Sequence, residues 1–396
     1  MSETYVRQLD KIGRVVIPKE IRDELELSNQ PLDVQMTGDG LKLSKTESGE
    51  EPKTLDQYGR LVIPIELRQE LDWEQGKHIE MRTEKDEVQL NGQFEVCEIC
   101  ENNQSLIKVK TKFVCRDCLS EGNQNIVHRW GDLLDGLMSE YLHYCKQALR
   151  FEDEEDTHQA RVKDRRLKAL LQFIGVSEKH DIIKSLEEAH KRLGAVRERD
   201  VLIAGFKAFE EYVDEERMAE VYREVYQRVE QKRKKHQEKL EEKLPAIIDQ
   251  NFQERWRYFI DEELHAYILS LSVASRLDEY EQDIANRMED YKAVVAEHGP
   301  ASQEALESMH ALRIASKHIR YIYKYLDTMY EQDYQTSAKY YEQLQDQFGP
   351  VNDVKDWLKA FDKQRDKLDI KKKHAKEVKA QLEDELESRV NEVKVD

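Results

Sequence analysis

The pattern of apolar and polar positions changes character twice along the chain. In the first 92 residues, short apolar runs are punctuated by glycine and proline, which predicts strands and tight turns. From Asn123 onward the apolar positions recur with helical spacing to the end. Strong breakers there are few: the neighbourhoods of Gly175, Gly194 and Gly205, then Pro245, Gly299-Pro300 and Gly349-Pro350. Residues 207–243 and 362–392 read as long, charged, partly coiled helices.

Two internal repeats organise the pattern. The run Leu9 to Pro18 returns as Leu55 to Pro64 at an offset of 46, still held at Arg22/Arg68 and Leu25/Leu71. Each copy reads strand, Gly turn, strand, short helix and a further pair of strands. Gly13 and Gly59 suit a turn with positive φ, Pro18 and Pro64 a strand end entering a helix, and 46–52 a polar linker. In the helical region His158-Gln159-Ala160-Arg161-Val162 returns as His310-Ala311-Leu312-Arg313-Ile314, offset 152. By Leu193-Gly194 with Arg197 and Glu198, against Phe348-Gly349 with Asn352 and Asp353, the offset is 155.

On a helical wheel, His158, Arg161, Arg165, Lys168 and Gln172 share one face. Val162, Ala169, Leu170, Phe173 and Ile174 take the apolar side. His310, Arg313, Lys317, Arg320 and Lys324 repeat the stripe, with Ile314, Tyr321, Ile322, Tyr325 and Leu326 opposite. Arg166 and His318 flank the two stripes at equivalent positions. Like charges this close repel, so internal carboxylates or a bound anion must compensate. Arg offers a planar fork to phosphate oxygens, Lys a point charge, and His a donor that can gain charge beside phosphate. A lone stripe reads as a solvated face. Two matched stripes with the same leading His point to a linear polyanion.

Charge sharpens this. The 396-residue chain carries a formal net charge of −19, so binding of an anion must come from a local patch. No window of about 20 apolar residues exists, so no membrane span is expected. The first residues lack a secretory signal pattern. Of five cysteines, Cys97-x-x-Cys100 and Cys115-x-x-Cys118 form two pairs 14 residues apart. This spacing suits a tetrahedral zinc site in a reducing, cytoplasmic compartment, with a hairpin over 107–114; iron, redox pairing and no metal are the alternatives. Four sulfur ligands make the site structural. Lys108, Lys110, Lys112 and Arg116 read as a solvated hairpin face or a nucleic-acid contact. Cys145 reads as a buried small apolar residue.

These motifs resemble known families. His158-x-x-Arg161-Val162-x-x-Arg165-Arg166-x-Lys168, the His310 counterpart running to Tyr321, and the follow-on motifs at 193–201 and 349–353 resemble the CHAD (histidine α-helical) family over roughly 124–392. That resemblance implies two pseudo-symmetric four-helix bundles, and a basic cleft that binds inorganic polyphosphate and associates with polyphosphate granules. Its polyphosphate-binding residues would be His158, Arg161, Arg165, Arg166, Lys168, Arg197, His310, Arg313, Lys317, Arg320 and Lys324. Glu198 and Lys317-His318 depart from the family's usual residues. The family is often fused to a triphosphatase tunnel domain, but no Glu-x-Glu-x-Lys signature is present, so no catalysis is expected. Glu198, Asp200 and Asp353 read as charge partners or caps.

Gly13 to Arg22 and Gly59 to Arg68 resemble the SpoVT/AbrB swapped-hairpin family. The resemblance implies a small β-barrel, closed within the chain or interlaced with a second molecule as a homodimer. It also implies DNA contact through Arg7, Lys11, Arg14, Arg22, Arg60 and Arg68. Against DNA stand 20 acidic and 13 basic residues over 1–92, Gln57 at the place of Lys11, and Ile65 at that of Lys19. DNA binding and a dimerisation or scaffold role therefore both remain open. The fold class expected is multidomain: a small N-terminal swapped-hairpin barrel over 1–92, a zinc ribbon over 93–122, and an all-α domain over 124–392. The function expected is non-catalytic polyphosphate binding, linked to DNA or a partner and, by extension, to granules or nucleoid. The alternative is a DNA-binding transcription regulator with an anion-sensing helical domain.

Overall fold

The computed structural model describes residues 4–38, 40–47, 51–92, 95–330, 333–368 and 370–394. Positions 48–50 of the linker and 93–94 at the start of the cysteine segment lie outside them. Two compact units divide the chain, 1–124 and 125–396.

The first unit is a small sheet region. Strands β1 (Thr4–Gln8), β3 (Leu32–Thr37), β4 (Gly40–Lys45), β6 (His78–Glu84) and β7 (Glu87–Asn91) form an antiparallel sheet of order β1-β6-β7-β4-β3. β2 (Arg14–Val16) and β5 (Arg60–Val62) pair separately, with Val15 opposite Leu61. The two copies grip each other reciprocally: Ile17 N–H donates to the Gly59 carbonyl at 2.9 Å, and Ile63 N–H to that of Gly13 at 3.0 Å. Gly13 (φ 82°) and Gly59 (φ 74°) turn with positive φ. Helices α1 (Lys19–Glu24) and α2 (Ile65–Glu70) follow Pro18 and Pro64. The leading strand expected in the second copy is reduced, among the described residues, to one bridge between Lys53 and Leu32. Leu9, Val15, Ile17, Leu61, Ile63 and Trp73 lie in the core of the unit. A hairpin, β8 (Leu106–Val109) and β9 (Lys112–Cys115), then leads into α3 (Arg116–Ala148).

The second unit is helical. After α3 come α4 (Glu154–Phe173), α5 (Asp181–Tyr212) and α6 (Glu216–Ile247). A connector follows, α7 (Gln250–Tyr258) and α8 (Leu264–Ser270), and then α9 (Val273–His298), α10 (Gln303–Tyr330), α11 (Gln335–Arg365) and α12 (Lys372–Asn391). No helix among the described residues is long and apolar enough to cross a membrane.

Local chemistry fixes the two helices that carry the stripes. At the start of α4, Asp153 caps the Glu155 N–H at 2.8 Å, and Glu154, Glu155 and Asp156 complement the positive helix end. At its other end Gly175 (φ 97°) turns the chain, and the Arg276 guanidinium donates to the carbonyls of Gln172 and Phe173. Ser302 Oγ accepts from Ala305 N–H at the start of α10. Helix α4 packs on α5 and on α10, and α10 on α9 and α11. One continuous core joins both sets of helices. A second core, with Phe206, Val221, Tyr222 and Phe361, ties α5 and α6 to α11 and α12.

Several expected breakers do not break. Gly194 and Gly205 lie inside α5, Pro245 inside α6, and Gly349-Pro350 inside α11. At Gly205 the reason is packing. A Cβ there would sit 2.3 Å from Trp357 Nε1 of α11, so the glycine permits a close helix approach instead of ending a helix.

Candidate functional site

The contact of α4 with α10 brings the two cationic stripes together. Arg165 of α4 stands among Arg161 and His158 of its own helix and Arg313, Lys317 and His318 of α10. Burial, then Arg313, Arg165 and Arg320, drive the Lys317 ammonium down to about 7. Burial followed by Arg165 lowers Arg161, and burial lowers Arg313 although Asp353 pulls it back. His158 is lowered by burial and by Arg197, and His318 by burial, Lys168 and Arg165. Arg161, Arg165, Arg166, Arg197, Arg313, Lys317 and Lys324 make no ion pair among the described residues. The Nε atoms of Arg161, Arg165, Arg166 and Arg313 are buried without a hydrogen-bond partner.

Tyr321, read from periodicity as an apolar-side residue, is part of this cluster. It is 4% exposed. Arg166 of α4 lies over its ring at 5.6 Å and Arg320 of α10 at 5.0 Å. Burial opposes ionisation of its hydroxyl, but Arg165 and Arg320 beside it pull its pKa below the ordinary value. Ile314, expected on the apolar side, is instead 42% exposed.

The other stripe members are either paired or exposed. Lys168 pairs with Asp164 at 3.1 Å and Arg320 with Glu342 at 2.6 Å. Lys324 is exposed, one helical turn beyond Arg320. His310 Nδ1–H donates to Asn352 Oδ1 at 2.7 Å, and Arg197 stands beside His158 at the matching place in the first half. Asp353 is raised by burial, while Arg313 and Lys317 lower it. Asp200 is buried and accepts from Arg233 of α6, the charge pairing expected of it.

Sequence reasoning missed Asp164 and His190. Asp164 is fully buried on α4 and meets both Lys168 Nζ of its own helix and His190 Nδ1 of α5. Its spacing of four from Lys168 was the available signal; His190 sits in no motif.

In the first unit, Cys97, Cys100, Cys115 and Cys118 converge with their sulfur atoms within 4.8 Å of one another. Cys97 and Cys100 lie on a turn closed by Glu101 N–H to the Cys97 carbonyl at 2.9 Å; Cys115 ends β9 and Cys118 opens α3. Burial opposes thiolate formation at Cys97, but backbone N–H groups of Cys115, Cys100 and Ile99 bring it to about 6. Zinc–sulfur bonds of roughly 2.3 Å in a tetrahedron need sulfur separations of this size, so the four thiols fit such an ion. Lys112 pairs with Glu98 and Lys108 lies over Phe113. Cys145 is buried in the helical core.

Four of the six basic residues are half-buried and engaged within the unit. Arg14 pairs with Asp10 at 2.8 Å and Arg60 with Asp56 at 2.7 Å. Arg22 Nε–H donates to the Ile17 carbonyl and Arg68 Nε–H to that of Ile63. Arg7 and Lys11 are exposed. Ile12, Tyr58, Val62 and Ile65 are exposed too, each at more than half of its surface except Val62 at 50%.

The CHAD domain model matches residues 133–362, more than half of the chain, and the chain belongs to the CHAD domain family. Among solved structures it is similar to the CHAD domain from the plant Ricinus communis. That likeness has 15% identity and a TM-score of 0.45, covering 68% of this chain and 93% of that one. No match was found among curated proteins.

Proposed function

We propose that this protein binds inorganic polyphosphate, without hydrolysing it, along the cluster where α4 meets α10. The observation that carries the reading is the set Arg165, Arg313 and Lys317. These three cations from the two halves crowd together with no ion-pair partner among the described residues. Asp353 offsets only part of the repulsion among them, and the remainder costs stability at a partly buried site unless an anion relieves it. Because the halves meet, one polyphosphate chain spans both stripes, with His158 and Arg197 at one side and His310 at the other. Titrating the full chain with polyphosphate of defined length, beside phosphate and sulfate, tests this. Binding no tighter than that of sulfate contradicts it. A protein carrying this site would collect on cytoplasmic polyphosphate granules.

Cys97, Cys100, Cys115 and Cys118 would hold one structural Zn²⁺. Bound there, zinc would fix the hairpin of β8 and β9 against the start of α3. We expect thiol blocking to release one zinc per chain. In Cys115→Ser the metal is lost, and amide protection over 95–118 falls to that of an unfolded segment, because metal binding and folding are coupled in so small a core. Unchanged protection in a metal-free variant would refute the assignment.

The first unit resembles SpoVT/AbrB domains, yet its already paired arginines and exposed Ile12, Tyr58, Val62 and Ile65 favour contact with a protein chain, a second copy included, over DNA. We expect duplex DNA at 0.15 M salt to bind no more tightly than about 10⁻⁵ M, the non-specific range. Anisotropy with labelled DNA measures this. Nanomolar, sequence-dependent binding would put the transcription-regulator reading first.

A further inference from the structure

The two halves of the cleft hold their leading arginines differently. In the first half, Arg161 Nη1 faces the Gly194 carbonyl at 3.5 Å, and Nη2 lies 3.3 Å from His190 Nε2. The other ring nitrogen of His190, Nδ1, meets the Asp164 carboxylate. Asp164 also accepts from Lys168 at 3.1 Å.

Hydrogen-bonding capacity settles the imidazole. An ionised carboxylate only accepts, so Nδ1 carries the proton. A guanidinium only donates, so Nε2 presents its lone pair to Arg161. The contacts thus select one neutral tautomer. Burial lowers the pKa of His190, as do Lys168 and Arg161, against the pull of Asp164, which fits a neutral ring.

The second half lacks this brace. At the repeat offsets, Ser316 stands for Asp164 and Gln345 for His190, with Gly349 for Gly194. Ser316 Oγ–H turns back to the Leu312 carbonyl at 2.9 Å, and the Gln345 amide reaches Asp346 at 3.1 Å. Arg313 has no hydrogen-bond partner among the described residues.

We propose that Asp164 and His190 are positioning residues that hold Arg161 in a preformed anion site in the first half, a brace that Arg313 in the second half lacks. This rests on the polyphosphate reading for the ligand, though not for the geometry. Fixing a side chain before binding removes an ordering cost, and an effect of about 10-fold in affinity is expected from one such residue.

The test has two readouts. Nitrogen NMR of the ¹⁵N-histidine-labelled full chain without ligand should show His190 protonated at Nδ1 and bare at Nε2. In Asp164→Asn the amide can donate to Nδ1, which moves the ring proton to Nε2 and aims an N–H at Arg161. Asp164→Asn and His190→Ala should each weaken polyphosphate binding about 10-fold. In an Arg161→Ala background they should change it no further, because they act through that residue. A wild-type His190 protonated at Nε2, or at both nitrogens, at pH 7 overturns the proposal. So do equal losses of affinity with and without Arg161, or losses of melting temperature with affinity unchanged. Should the wild-type protein bind no polyphosphate, the NMR result still decides the positioning geometry, and only the ligand assignment falls.

Discussion

Replacing Arg161, Arg165, Arg313 and Lys317 together by alanine should lower the affinity of the full chain for inorganic polyphosphate by about 1000-fold at 0.15 M salt. Each of these cations is partly buried and makes no ion pair among the described residues. A net loss of about 1 kcal/mol for each charge-assisted contact gives that magnitude. The dependence of affinity on salt should become shallower too, since fewer counterions are displaced. The folded protein should not suffer in proportion. Removing like charges from a crowded site relieves repulsion, so the melting temperature without ligand should hold or rise. Isothermal titration at three salt concentrations checks the first two expectations and calorimetric melting the third. A loss under about 10-fold would mean the stripes are not the binding surface.

Polyphosphate binding should also take up protons near neutral pH, with Lys317 as the principal source. Its pKa of about 7 in the free protein must rise when an anion replaces Arg313, Arg165 and Arg320 as its dominant electrostatic neighbour. Between the free and bound pKa values the complex holds more protons than the free protein, so affinity falls as pH rises. From pH 6.5 to 8.5 the expected decrease is about 20-fold. Titrations in buffers of different ionisation enthalpy should show uptake approaching one proton at pH 8, absent in Lys317→Met.

The same group makes a stability prediction of definite sign. Below pH 7 both folded and unfolded chains carry the Lys317 proton, and the cost of burying that charge is present in full. Between about 7 and the ordinary lysine range the folded chain lacks a proton the unfolded one keeps, so stability rises with pH. Lys317→Met should accordingly stabilise the ligand-free protein at pH 6. Water reaching the side chain limits the gain to about 2 kcal/mol, well below what the full shift would imply.

The family and the stripes were legible in the sequence because His158, Arg161 and Arg165 recur at fixed offsets and helical geometry sets their face. Their compensation was not, since it depends on partners distant in the chain. Glu342 on α11 neutralises Arg320, which no periodicity in α10 reveals. Asp164 looked like one more polar residue of a charged helix, yet it is fully buried and organises Lys168 and His190. Tyr321 fell on the apolar side of the wheel, but its ring is a surface for Arg166 and Arg320. Gly205 read as punctuation because sequence shows a missing side chain without the Trp357 indole that occupies its place. In the first unit the arginines matched by motif are held by Asp10, Asp56 and two backbone carbonyls. A motif records which residues are present; whether their charge is free is decided by the fold.

The most direct test of the central claim is the stoichiometry of polyphosphate binding to the full chain, measured by titration calorimetry for wild type, Arg161→Ala and Arg313→Ala. One cleft shared by both stripes predicts one polyphosphate per protein in all three, with each substitution weakening affinity and leaving the stoichiometry unchanged. Two polyphosphates per protein, with each variant losing one, would contradict a single cleft, and no binding by the wild type would contradict the function itself.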